Sequence, residues 1–135
     1  MPAHNKKFPW MSYYEHYQFF ENRMQSHSEV SSVKKKPNNI YEIKLNDERV
    51  LSVFICECYS FGLAEYYESV EKLGSLNTVI INSNWCSYSM EAKIYCRDNK
   101  VGIFDIAGFM AALNKKNYWE YLTEWEMEYL TKNGF

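Results

Sequence analysis

The sequence predicts a single α/β domain, built on a mixed central sheet of about four strands with helices on its flanks. Three observations lead there. Near the N-terminus, Tyr13, Tyr17, Phe20 and Met24 recur at intervals of four, three and four, the spacing of one helical face. Residues 40–45 and 50–59 are two strand-like runs, the second rich in β-branched residues, with the turn formers Asn46, Asp47 and Glu48 between them. Beyond them, short apolar runs alternate with capped helical stretches. A connection as short as the first joins antiparallel strands, whereas strand-helix-strand units need parallel pairing with right-handed crossovers. Both kinds of pairing in one sheet make it mixed.

Each element has a local reason. Ser12 and Glu15 have the spacing of a capping box, so the first helix starts there. Residues 26–39 turn to Ser, Lys and Asn, with Val30 and Val33 the apolar exceptions, and read as a loop. The run VLSVFICECY is apolar on both faces until Glu57, which places it inside the sheet. A helix follows Gly62 and closes at Gly74, and residues 78–81 form a short buried strand. Ser87 caps a helix to residue 98, residues 101–104 form another strand, and Asp105 caps a brief helix. Asn117 opens the last helix, whose inward face is Tyr118, Leu122, Trp125 and Tyr129. Residues 1–39 are thus a helix and loop, 40–113 the core, and 114–135 a terminal helix, all in one domain.

Composition narrows the function classes. With 24 aromatic residues among 135, the chain has ample surface to bury and is no disordered segment. No apolar run reaches the roughly 20 residues of a membrane span, and the polar start MPAHNKK lacks the apolar stretch of an export signal, so a cytoplasmic protein is expected. A net charge of −2 argues against a dedicated nucleic-acid binder. Residues 1–50 hold eight of the 15 basic residues, including Lys34, Lys35 and Lys36, which would either grip phosphates or lie in a solvated linker. The four cysteines are too sparse for a disulfide scaffold and read as buried free thiols.

Residues 40–113 resemble the core of the restriction-endonuclease-like nucleases, the Mrr-type branch in particular. The stretch NTVIINSNWCSYSMEAKIYCRDNKVGIFDIAGFMAAL carries the likeness best: a strand, a polar loop, a helix with an Ala-Lys pair, a short strand, and a helix opening after an acid. The resemblance implies a hydrolytic site of two acids and a lysine on the hairpin. It puts Glu42 at the first acid, Glu57 at the second and Tyr59 where the lysine belongs. Such sites hold Mg²⁺ or Mn²⁺ between carboxylates. Tyrosine brings a hydroxyl with no positive charge. Lys44, two residues from Glu42 and on the same strand face, would be the one substitute.

Other residues carry weaker signals. Glu57 ends an apolar strand, which marks a cleft, a structural pair, or the point where the strand meets water. Asn82, Asn84 and Trp85 follow a strand C-terminus, where α/β sheets favour ligands and an indole would stack on a base, or they serve only as turn and cap. Trp125 and Tyr129 lie in a ring-rich end: residues 1–20 and 118–135 together hold 13 of the 24 aromatics. These rings either pack over the sheet or present a patch to a partner. The expectation is therefore a non-catalytic protein that needs no cofactor and binds a macromolecular partner. A protein or a second copy is preferred over nucleic acid, in the manner of an inhibitor or accessory factor of phage-host conflict or nucleic-acid metabolism. The alternative is a Mg²⁺- or Mn²⁺-dependent nuclease using Glu42, Glu57 and Lys44.

Overall fold

A computed structural model describes residues 14–36, 40–82 and 86–134. The first helix, α1 (Tyr14–Gln25), buries Tyr17, Phe20 and Met24, the face set by the helical repeat. A sheet meander follows: β1 (Val30–Lys35), β2 (Ile40–Leu45) and β3 (Val50–Cys56), all antiparallel neighbours. After the short β4 (Ser60–Phe61), α2 (Leu63–Leu73) crosses to β5 (Thr78–Ile81), parallel to β3. The short β6 (Ser87–Tyr88) and α3 (Met90–Asp98) lead to β7 (Gly102–Phe104), parallel to β5. Then come α4 (Ile106–Ala112), a 3₁₀ turn (Tyr118–Glu120) and α5 (Glu124–Lys132).

The main sheet has five strands in the order β1-β2-β3-β5-β7, antiparallel on one side and parallel on the other. Because side chains alternate across a strand, each central strand feeds two cores. Val53, Ile55, Ile80 and Phe104 face α1 and α4, whereas Phe54, Cys56, Val79 and Ile103 face α2 and α3. On the first side Phe20 sits between Tyr41 and Phe109, with ring centroids 5.1 and 6.3 Å away.

Several elements differ from the sequence expectation. Residues 26–39, expected as a loop, contain β1, which brings the sheet to five strands. Its polar composition is that of an edge strand, with only Val30 and Val33 half-buried. The third strand ends at Cys56, not at residue 59. The cap of α3 is Ser89, whose hydroxyl accepts from the Ala92 N–H, because Ser87 is taken up in β6, paired with β4. The expected last helix is split. Asn117 opens only the 3₁₀ turn, and α5 starts from its own cap, Thr123. Gly74 (φ 88°) and Asp105 close and open α2 and α4 as expected. The expected start at Ser12 lies outside the described residues.

Candidate functional site

Strands β3, β5 and β7 run parallel, so their C-terminal ends share one edge of the sheet. The register sets Cys56 beside Ile81 and Ile80 beside Phe104, and Glu57, Asn82 and Asp105 are the next residues of the three strands. Open α/β sheets place ligands outside this edge. Here a cavity of about 640 Å³ opens between the strand ends, α1 and α5. That volume suits a small ligand or a side chain with its neighbours. Phe19, Asn82, Tyr88, Asp105, Trp125 and Glu126 are among its walls.

Capping chemistry holds both acids in place. The Gly108 N–H donates to Asp105 Oδ1 at 2.6 Å at the start of α4. Glu126 closes the capping box of α5, its Oε1 accepting from the Thr123 N–H at 2.9 Å. Its Oε2 accepts from the Tyr88 hydroxyl at 2.7 Å, which ties α5 to β6. Behind it lies Lys93 of α3, 1% exposed. The Lys93 ammonium donates to the Ile103 carbonyl at 2.5 Å, stands 3.9 Å from Glu126 Oε1, and sits 4.1 Å from the Phe104 ring centroid. Burial pulls Lys93 down to about 8, and the Glu126 carboxylate partly opposes that shift. Burial, reinforced by Glu126, pushes the Tyr88 phenol up, so that it stays a donor.

The residues singled out in the sequence scatter across the fold. Glu57 is 2% exposed, and its Oε1 lies 3.1 Å from His16 Nδ1 of α1, so the strand does not emerge into water there. Glu42 pairs across the sheet with Ser52, not with Glu57, and meets Lys36 at 3.5 Å. Tyr41 and Ile43 on either side of it point to the α1 core, so Glu42 faces the other way, whereas Glu57 faces α1. Five residues separate Glu57 from the Ser52 level, about 17 Å along the strand. Glu42 and Glu57 therefore share neither a face nor a level.

Lys44 is bonded to Glu48 at 3.2 Å, and Tyr59 is 68% exposed. The lysine run is divided by strand alternation: Lys34 lies opposite Glu42, while Lys35 is 4.8 Å from the Tyr17 ring centroid. Asn82 and Trp125 are brought together at the cavity, and Tyr129 stacks on Trp125 at 5.6 Å. Asn84 and Trp85 lie outside the described residues. Glu126 and Lys93 were missed as site residues. The Thr123-x-x-Glu126 spacing, a capping box, is the signal that locates Glu126. Among the described residues, no three His, Cys, Asp or Glu side chains are grouped to hold a metal ion.

Comparison of the chain with protein-family models, with curated proteins and with solved structures returned no match.

Proposed function

We propose that this chain is a non-catalytic protein with a restriction-endonuclease-like core, acting by binding a protein partner at the C-terminal edge of its sheet. The observation that carries this reading is the separation of Glu42 from Glu57. A hydrolytic metal site needs both carboxylates within reach of one cation at roughly 2.0 to 2.6 Å, and these two lie on opposite faces. At the same edge, the 62%-exposed Trp125 stacks on Tyr129 beside the cavity. Exposed rings beside a concavity are the usual anchors of protein interfaces. A protein is preferred to nucleic acid because the lysine run is split and the cavity wall carries acids.

The test has two arms. Protein immobilised from the purified chain should retain a partner from its natural host, and Trp125→Ala with Tyr129→Ala should release it. Light scattering across a concentration series reads self-association in the same way. Incubation with Mg²⁺ or Mn²⁺ and single- or double-stranded DNA and RNA should leave the nucleic acid intact. Cleavage abolished by Glu57→Ala would overturn the proposal and establish the nuclease alternative.

A further inference from the structure

The cavity at the strand ends is one-sided in its chemistry. Its described walls include the rings of Phe19, Tyr88 and Trp125 and the carboxylates of Asp105 and Glu126, with no Lys or Arg. The two acids are not equivalent. Glu126 is buried and has Lys93 behind it, so its charge is largely offset within the protein. Asp105 is exposed, spends one oxygen on the Gly108 N–H, and among the described residues has no cation within ion-pair distance. A carboxylate has about four lone-pair sites, so the cap leaves Asp105 with acceptor capacity to spare.

Aromatic faces beside an exposed carboxylate that has no ion-pair partner among the described residues favour an organic cation, because the ring quadrupole and the negative charge attract the same group. The chain already uses this kind of contact, the Arg23 guanidinium lying 4.9 Å from the Phe19 ring centroid. A phosphate would instead meet the exposed Asp105 carboxylate. The volume exceeds what one flexible side chain fills and leaves room for the residues flanking it.

We infer that this cavity receives a lysine or arginine side chain presented by the protein partner, with the cation between the Trp125 ring and the Asp105 carboxylate. The inference deepens the protein-binding reading and rests on it. The pocket supplies charge selectivity, and the exposed ring stack supplies contact area.

Fluorescence polarisation with the intact chain tests it, using a labelled Gly/Ser peptide with a central Arg-Lys pair, the same peptide with norleucine at both places, one with glutamate, and a single-stranded oligonucleotide. The basic peptide should bind, more weakly at high salt, and the norleucine and glutamate peptides and the oligonucleotide should bind at least about tenfold more weakly. Asp105→Asn preserves a cap of α4 and should weaken basic-peptide binding about fivefold with an unchanged melting temperature. Trp125→Ala should weaken it by a similar factor of about five, and Trp125→Phe should restore most of the loss.

Equal binding of the norleucine peptide, preference for the glutamate peptide or the oligonucleotide, indifference to Asp105→Asn, or no binding of the basic peptide would each overturn the inference. The partner-capture experiment is read separately. A partner retained through Trp125 that the basic peptide does not displace leaves the protein-binding reading standing and the pocket assignment refuted.

Discussion

Lys93 and Glu126 are a buried pair whose worth lies in what happens when one member is removed. Each satisfies neutral groups as well as the other: Lys93 the Ile103 carbonyl, Glu126 the Thr123 N–H and the Tyr88 hydroxyl. Lys93→Met leaves Glu126 buried without its counter-charge and should cost about 3 to 5 kcal/mol in urea unfolding. Adding Glu126→Gln keeps an oxygen to accept from the Thr123 N–H, turns its NH2 towards the Tyr88 hydroxyl as a donor, and removes the stranded charge, so the double variant should be more stable than Lys93→Met alone. A double variant as unstable as the sum of the two singles would show that the charges do not interact. The thiols differ in the same local way. Cys56, Cys58 and Cys96 are buried and Cys86 is half-buried, so a disulfide reagent should titrate Cys86 first and the other three only on unfolding. Rapid reaction of all four in the native protein would contradict this packing.

At the scale of elements, caps and close contacts decide where α5 and β7 sit. Thr123 accepts from the Glu126 N–H and anchors the helix that carries Trp125. Thr123→Ala should cost about 1 kcal/mol and shift the tryptophan emission towards the solvent-exposed limit as the first turn frays. At Gly102, a Cβ would stand 2.3 Å from the Phe104 ring, so Gly102→Ala must displace a ring shared between β7 and the α4 core. A loss of about 1 to 3 kcal/mol in denaturant midpoint measurements is expected, and an unchanged midpoint would mean that the ring moves freely. The edge strand β1 shows the opposite economy. Its outward lysines protect an open ladder from pairing with another sheet, at little benefit to the core.

For the molecule as a whole, pH reads the sum of its buried titrating groups. Burial lowers Lys93 to about 8, below its unfolded value, so the unfolded state binds more protons between pH 8 and about 10.4, and this contribution rises with pH there. The thiols act in the opposite sense. Burial raises Cys58 and Cys96 to about 12 and holds Cys56 well above its ordinary value. Their stabilisation is complete below about pH 9 and is lost as pH climbs towards 12, because only the unfolded chain releases those protons. Burial raises Tyr41, Tyr66, Tyr88 and Tyr118 as well, extending the loss above pH 10. These groups outnumber the single lysine, so the melting temperature should be nearly level from pH 7 to 9 and fall steeply above. Thermal melts at pH 7, 9 and 10.5 check this, and a melting temperature that climbs across pH 9 to 10.5 would refute it.

The sequence by itself determined what depends on three or four neighbouring residues. The inward face of α1, the β2-β3 hairpin, the closure of α2 at Gly74 and the Asp105 cap were all legible, because capping and periodicity act over one turn or one pleat. That Glu57 is a special carboxylate was legible too, from an acid at the end of an apolar strand. Tertiary structure decided the rest. β1 carries too few apolar residues to announce itself, and it exists because β2 offers it a ladder. Whether Glu42 and Glu57 meet depends on pairing register and face, set by strands that contact across the sheet rather than along the chain. The cavity joins Phe19, Asn82, Asp105 and Trp125 from four distant segments. No local rule places those four side chains around one space. The sheet does so by bringing the C-terminal ends of its parallel strands to a single edge.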